Sequence, residues 1–407
     1  MSSCRFSIVI PTRDREKTLG STLQTCLMQE FDDYEIVVSD NSTTSSTHDL
    51  VIGMDSPRIK YVRPPKPLAM SDNWEFGVEN ASGEFITLIG SDDGMLLHAL
   101  PEIDRILRML DAKILRWDSA CYNWPDLPAQ DFATANELLI PTKQTDWYLP
   151  IHRRDSRLMI QAAANSEIAY SELPMIYCSA IHRSLIEELR HKTGKIFRSE
   201  SPDVYSGFAF AHLVGAFFSI DAPMGINGLS GDSNGVASIY LKEKSAVADD
   251  FLSLNTRANH VTHEWVPRLP VMPAAVADSF LHAKQSLFAD DATFFVDRRK
   301  MITNSLRELR AADDDEWQNA LRLVRASVAD KRELSKWFEE EHGRKRREEF
   351  EFAPHHKLKR YGQTYLHLDA AEFGVTNVLE AAQLCEKILG FKLDGVNAHV
   401  KPTGTQA

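Results

Sequence analysis

Between residues 6 and 115, short apolar runs alternate with segments of helical spacing, and this alternation leaves few folds open. Phe6-Ser-Ile-Val-Ile10 reads as a strand stopped by Pro11, after which Leu19, Leu23, Cys26 and Leu27 recur at helical intervals. Glu35-Ile-Val-Val-Ser39 reads as a second strand, Ile59-Lys-Tyr-Val62 as a third and Phe85-Ile-Thr-Leu-Ile89 as a fourth. Ser71 is placed to cap a helix through Trp74, Phe76 and Val78 that stops near Ser82-Gly83, and a later helix carries Ile103, Ile106, Leu107 and Leu110. Strands joined by connections of helix length are crossover units, so the expected class is α/β with a mostly parallel, Rossmann-like sheet.

The pattern loosens beyond this. Residues 118–165 hold Pro125, Pro128, Pro141 and Pro150 with Tyr122, Trp124, Trp147 and Tyr148, and read as an insertion or lid more than another βα unit. Alternation resumes with a strand over 175–181, a helix from Ser184, an apolar helix opened by Asp203, and a closing strand Phe217-Phe-Ser-Ile220. We therefore expect a catalytic-type α/β domain over 1–240 and a mainly helical region over 241–407. Trp317, Leu321, Val324 and Val328 form an apolar stripe in that second region. Its basic cluster, Arg344-Lys-Arg-Arg347 with Lys357, Lys359 and Arg360, reads as a solvated helix face, with contact to anionic lipid head groups or an acceptor phosphate as the alternative.

Bulk properties exclude several classes. A net charge of −12 argues against a general nucleic-acid binder, which needs a basic face. The same charge means that a phosphate-bearing ligand must be drawn in by local cations or a metal. Five scattered cysteines without a C-x-x-C pair fit reduced thiols of a cytoplasmic protein better than a disulfide or zinc framework. The start of the chain has no signal-like apolar core, and the most apolar later stretch, Ala209 to Ile220, is too short to span a bilayer. The expectation is a soluble protein, at most peripheral to the inner face of a membrane, with a homo-oligomer left open.

The candidate chemistry lies in Gly90-Ser91-Asp92-Asp93-Gly94, directly after the fourth strand. The carboxyl end of a strand in an open α/β sheet faces the ligand crevice. Adjacent carboxylates flanked by small residues suit a hard divalent cation that also takes substrate phosphate oxygens. An ordinary Asp-Gly-Ser turn is the plainer reading of these residues.

Four elements in order resemble the signature of family 2 glycosyltransferases: Ile8-Val-Ile-Pro-Thr-Arg-Asp-Arg15, Glu35-Ile-Val-Val-Ser-Asp-Asn41, Asn73-Trp-Glu-Phe-Gly77 with Ala81-Ser-Gly-Glu-Phe-Ile86, and Ser91-Asp92-Asp93. The resemblance is close over about the first hundred residues and loose over 175–240. It implies a GT-A fold and an inverting, metal-dependent transfer from a nucleotide-diphosphate sugar. By position, Pro11, Thr12 and Asp14 would meet the base and ribose of the donor, and Asp40, with Asn41 beside it, would accept from uracil or a ribose hydroxyl. Asp14 as a cap of the first helix and Asp40 as a turn residue remain the structural alternatives. Asp93 would bind Mn²⁺ or Mg²⁺, while Asp92 would touch ribose or a metal-bound water. Arg13 and Arg15 read as solvent-exposed. His182 and His212 read as structural before they read as third ligands.

An inverting transfer needs a general base for the acceptor hydroxyl. The resemblance places it at the start of a helix after the acceptor-side strand, which makes Asp203 the base and Glu200 its alternative; Pro202 departs from the family's acidic pair. An anion in a first helical turn is also favoured by the helix dipole alone. Asn227-Gly-Leu-Ser-Gly-Asp-Ser-Asn-Gly235 reads as a flexible loop near the diphosphate, with Asp232 and Asn234 in it but without the family's basic or histidine residue. The Gln-x-x-Arg-Trp signature of processive synthases is missing; Lys113-Ile-Leu-Arg-Trp117 has Lys in place of Gln. The expected activity is transfer of a single sugar from a UDP-sugar to a glycan, lipid-linked or small-molecule acceptor in surface-polysaccharide synthesis. A non-catalytic nucleotide-sugar binding or scaffold protein is the alternative. A nucleotidyltransferase would need a Gly-rich N-terminal loop with a Lys, which residues 11–20 lack.

Overall fold

The computed structural model describes residues 4–128, 133–141, 150–233, 246–258, 260–350, 365–390 and 399–401. The first third of the chain alternates as its apolar runs require: β1 (Phe6–Thr12), α1 (Glu16–Leu27), β2 (Tyr34–Asp40), α2 (Ser46–Gly53), β3 (Ile59–Val62), α3 (Met70–Asn80), β4 (Phe85–Leu88), a two-residue β5 (Gly94–Met95) and α4 (Ala99–Leu110). Next come β6 (Ile114–Asn123), β7 (Glu137–Pro141), β8 (Pro150–Asp155), α5 (Ser156–Ala164), β9 (Ser179–His182), α6 (Arg183–Thr193), α7 (Pro202–Leu213) and β10 (Ala216–Leu229). The remainder is mainly helical: α8 (Ala246–Arg257), α9 (Met272–Leu287), α10 (Arg298–Glu308), α11 (Asp314–Val328) and α12 (Arg332–Glu341), then β11 (Tyr365–Asp369), α13 (Val378–Leu389) and β12 (His399–Lys401).

Among the described residues, twelve strands form one sheet whose main path runs β12-β8-β10-β6-β9-β4-β1-β2-β3. The β4-β1-β2-β3 side is parallel, and β9 pairs antiparallel with both β4 and β6. Both faces of the parallel side are covered, which is why its strands are continuously apolar. In β1, Phe6, Ile8 and Ile10 enter one core with Leu19 and Leu23 of α1 and Ile103 of α4, while Val9 points into the other with Trp74 and Val78 of α3. That is the period of two inherent in a pleated strand.

Three expectations change here. The described strands within 118–165 are built into the sheet: β6 is buried along its whole length, and β8 pairs antiparallel with β10 before turning into α5. The reading as an insertion or lid followed from the prolines and aromatics of this stretch, and the polar residues of β6 hid its strand character. Arg116, which the sequence aligned with a synthase motif, is buried because Asp118 lies 2.6 Å and Glu172 3.5 Å from its guanidinium. Trp147 and Tyr148 lie outside the described residues. Secondly, Ser71 caps nothing; it sits inside the first turn of α3 and donates to the Ser199 carbonyl at 2.6 Å. Thirdly, the strand expected over 175–181 is confined to Ser179–His182.

The helical region shares its core with the sheet. One apolar cluster runs from Val9 and Ile86 through Phe208 of α7 and Phe280 of α9 to Ile302, Trp317 and Phe338. The stripe Trp317, Leu321, Val324 and Val328 is buried as its spacing requires. In the basic cluster, Arg347 pairs with Glu348 and Asp314, and Arg346 with Glu349; Lys357, Lys359 and Arg360 lie outside the described residues. No helix among the described residues is long and apolar enough to cross a membrane.

Candidate active site

Parallel strands β1, β2 and β4 end side by side, and their carboxyl ends carry the residues singled out from sequence. The Asp93 amide donates to the Gly90 carbonyl (3.3 Å), closing a tight turn between β4 and β5. Asp93 is only 2% exposed. Its Oδ1 accepts from the Gly228 amide at 2.7 Å, its Oδ2 accepts from the Gly90 amide at 2.6 Å, and Tyr177 donates its hydroxyl to the same Oδ2. A small cavity beside it is walled by Ile89, Met95, Trp117 and Met224. Burial, and then the charge of Asp92, push the Asp93 carboxyl well above the usual carboxylate range.

Asp92 is half-buried, and its Oδ2 accepts from the Ser230 hydroxyl at 2.6 Å. Burial raises its carboxyl too, against the opposing effects of Ser230 and of Arg15. Arg15 is not solvent-exposed: it donates to the Asp232 carbonyl and acts electrostatically on Asp92. Arg13 is likewise half-buried, held by Asp250 of α8 with Nε–Oδ2 at 2.7 Å. Both arginines read as exposed because Asp250 and Asp232, which hold them in the fold, lie more than two hundred residues away.

Whether this corner suits a divalent cation can be judged from Gly90. A Cβ built on it would stand 2.9 Å from Asp93 Oδ2, 3.0 Å from the Tyr177 hydroxyl and 3.1 Å from Asp92 Oδ1. Three hard oxygen donors therefore converge on a space that only glycine leaves free, and two raised carboxyls there lack a full counter-charge. That donor set fits Mg²⁺ or Mn²⁺. Among the described residues no third His, Cys, Asp or Glu completes an all-protein cage. His182 accepts from the Ser184 amide at the start of α6, and His212 stacks on Phe288 at 4.4 Å.

The donor-side residues are present but engaged. Asp14, in a left-handed conformation (φ 52°), accepts from the Thr43 amide at 2.8 Å and caps no helix through its side chain. Asp40 is fully buried and accepts from the Ser42 amide (2.9 Å) and the Tyr61 hydroxyl (2.6 Å), with Arg63 at 3.4 Å. The Asn41 amide clamps the backbone of Leu68 in both directions, at 2.8 and 2.9 Å. Pro11 and Thr12 end β1, and the buried Thr12 hydroxyl has no hydrogen-bond partner among the described residues.

Asp203 occupies the first turn of α7 behind Pro202, and burial raises its carboxyl above the usual range. Among the described residues no side chain hydrogen-bonds or ion-pairs with its carboxylate; the Ser206 hydroxyl donates to its backbone carbonyl at 2.7 Å. Burial raises the Glu200 carboxyl as well, against the opposing effect of Arg268, which stands 3.1 Å from its Oε1. The Ser206 hydroxyl, one turn beyond Asp203, accepts from the Ile176 amide at 3.1 Å. Ile176 leads directly to Tyr177, whose ring stacks on Trp74 (6.1 Å between centroids, 13° between planes) and whose hydroxyl reaches Asp93. Tyr177 was not singled out from sequence, since nothing local marks it.

The expected loop over 227–235 is partly strand. Asn227, Gly228 and Leu229 close β10, Ser230 and Asp232 follow at the acidic corner, and Asn234 lies outside the described residues. Gly228 is required by close approach: a Cβ there would lie 1.9 Å from the Asp92 carbonyl oxygen and 2.9 Å from Trp124 Nε1. Gly228→Ala is therefore expected to cost about 1–3 kcal/mol of stability, as overpacking does, measured by urea unfolding.

Residues 7–112 match the family model described as Glycosyl transferase family 2. The Campylobacter jejuni GalNAc(5)-diNAcBac-PP-undecaprenol beta-1,3-glucosyltransferase is 33% identical over 99 residues, 24% of this chain. The Escherichia coli UDP-Glc:alpha-D-GlcNAc-diphosphoundecaprenol beta-1,3-glucosyltransferase WfgD is 26% identical over 93 residues, 23% of this chain. The chain thus spans only 32% and 37% of the lengths of these two relatives. An uncharacterized glycosyltransferase of Haemophilus influenzae is 19% identical over 217 residues, 53% of this chain and 79% of its own. Crystal structures of S. aureus TarS 1-349, one of them in complex with UDP-GlcNAc, align over 83% of this chain and 91% and 92% of theirs, with TM-scores of 0.41 and 0.42 at 14% and 13% identity. Residues 7–112, which match the model of glycosyl transferase family 2, hold β1 from Ser7 onward through α4 and the Asp92-Asp93 turn.

Proposed function

We propose that this protein is an inverting, metal-dependent glycosyltransferase that moves one sugar from a nucleotide-diphosphate donor, a UDP-sugar, to an acceptor hydroxyl. The observation that carries this reading is the pair Asp92 and Asp93, desolvated and convergent at the carboxyl end of β4 inside a family 2 segment. Asp92 Oδ1 and Asp93 Oδ2 would hold the cation, with Tyr177 and the Gly90 and Gly228 amides fixing Asp93. A bound Mg²⁺ or Mn²⁺ supplies Lewis-acid stabilisation of the charge on a departing diphosphate.

In the transfer, the acceptor oxygen forms a bond to the anomeric carbon as the bond from that carbon to the diphosphate oxygen breaks. The electron pair leaves with UDP. Asp203 takes the acceptor proton: its burial makes it a stronger base than an exposed aspartate, and among the described residues no cation pairs with its carboxylate. Glu200 is the weaker candidate because Arg268 already holds it. Glu200→Gln is expected to change kcat by less than about threefold, since an exposed ion pair contributes about 0–1 kcal/mol. A loss as large as that of an Asp203 variant would reassign the base.

The acceptor is a glycan or lipid-linked sugar, a reading supported by the undecaprenol-linked acceptors in the names of two relatives. Such an acceptor would bring the protein to a membrane surface as a peripheral partner. Product analysis tests the whole proposal. Free UDP with a new glycoside supports it; binding without turnover supports a scaffold, and pyrophosphate a nucleotidyltransferase. A thermal-shift screen of nucleotide sugars with and without Mn²⁺ should give its largest shift for a UDP-sugar with the metal present.

A further inference from the structure

We infer that Tyr177 and Ser206 are positioning residues that hold the metal ligand Asp93 and the helix of the base Asp203 in one frame; the assignment rests on the metal-dependent reading above and deepens it. Tyr177 touches Asp93 directly, donating its hydroxyl to Oδ2. A Cβ at Gly90 would stand 3.0 Å from that hydroxyl and 2.9 Å from Oδ2, so the phenol borders the space the cation would take. A hydrogen bond to a ligating carboxylate fixes how it faces the metal, and outer partners of this kind tune metal affinity.

The phenol is itself located from several sides. Its ring lies on Trp74 of α3, and Trp74 in turn meets Phe197, ahead of α7, edge to face at 5.7 Å. The backbone on either side of Tyr177 is pinned to the sheet. The Leu88 amide at the end of β4 donates to the Ile176 carbonyl at 3.0 Å, and the Trp117 amide of β6 donates to the Cys178 carbonyl at 3.1 Å. The Ile176 amide points the other way and donates to Ser206 Oγ of α7 at 3.1 Å.

Ser206 is 0% exposed, and its own proton goes to the Asp203 carbonyl at 2.7 Å, one turn earlier in α7. A hydroxyl donates and accepts at once; an alanine in its place would leave the buried Ile176 amide unpaired. The neighbouring Gly207 records how near α7 comes: a Cβ there would lie 3.0 Å from both Leu173 Cβ and Met175 Cγ. The route from the metal ligand to the base thus runs Asp93, Tyr177, Ile176, Ser206, Asp203, and each link is a hydrogen bond or a covalent neighbour. Cation and base act on opposite sides of one anomeric carbon, so a rigid connection between them serves the orientation that the transfer needs.

Tyr177→Phe and Ser206→Ala, alone and combined, test this by titrating Mn²⁺ into nucleotide-free protein and following the paramagnetic resonance of the unbound ion. Tyr177→Phe keeps the ring on Trp74 and should bind Mn²⁺ about 10- to 100-fold more weakly, the usual range for losing an outer partner of a metal ligand. Ser206→Ala touches neither Asp93 nor the cation and should show a smaller loss, about 2- to 10-fold. In the double variant it should add nothing to the loss of Tyr177→Phe, because it acts through the phenol. Wild-type Mn²⁺ affinity in either single variant, with only the melting temperature lowered, overturns the assignment in favour of a packing role. Losses that add in the double variant overturn it too. If Asp93→Asn still weakens Mn²⁺ binding in those cases, the metal reading stands without this assignment; wild-type protein that binds no Mn²⁺ overturns both.

Discussion

Asp93→Asn is expected to lower turnover by about 10²–10³-fold and to abolish metal stimulation, since Lewis-acid stabilisation of a leaving diphosphate is worth several kcal/mol. The substitution keeps the size of the side chain and an acceptor for the Gly228 amide, so folding should survive. It removes one of two carboxylates in a corner where burial and mutual repulsion already disfavour the charged forms. A cation relieves that repulsion. Mn²⁺ titration should therefore show an affinity loss in the variant that parallels the loss of turnover. Retained metal stimulation with full turnover would remove Asp93 from the metal site and leave it as a turn residue anchored by Gly90, Gly228 and Tyr177.

Asp203→Asn should leave donor affinity near wild type while cutting kcat by at least about 10²-fold, the usual scale for a lost general base. A pH profile gives a second readout with a definite sign. The base works only as the carboxylate, and burial raises its pKa, so wild-type activity should fall as pH drops through a value above the ordinary aspartate range. Asp203→Asn has no such group to titrate, and this acid limb should vanish from what activity remains. An unchanged acid limb would assign it to another carboxyl, and unchanged kcat would hand the base role elsewhere. Because folding raises this pKa, the native state binds the proton more tightly than the unfolded chain. Asp203 therefore lowers stability as pH rises from the unfolded pKa through the folded one, and Asp203→Asn should unfold at higher denaturant than wild type at neutral pH.

The parallel side of the sheet was legible because its information is local. Phe6–Thr12, Tyr34–Asp40 and Phe85–Leu88 are apolar runs stopped by turn residues, and their faces follow from alternation within a few positions. β6 was taken for part of an insertion, and β10 was read only over Phe217–Ile220, for the opposite reason. Arg116, Asp118 and Ser119 are polar residues inside a central strand, tolerated because they find partners there. β10 carries Pro223, Gly225 and Gly228, which resemble loop chemistry, yet it pairs with β6 through register shifts around Pro223. Ser71 looked like a cap because hydroxyl residues often precede helices; its partner, Ser199, is 128 residues away.

What the sequence alone determined is the order of the βα units and the placing of two adjacent carboxylates at the mouth of the fourth strand, since periodicity and turn chemistry act over a few residues. Only the tertiary structure decided how those carboxylates are charged and held: Tyr177 and Gly228 reach Asp93 across 84 and 135 positions, and Arg13 meets Asp250 across 237. Desolvation and pairing depend on distances in space, and the chain sets those only once its separate faces have packed together.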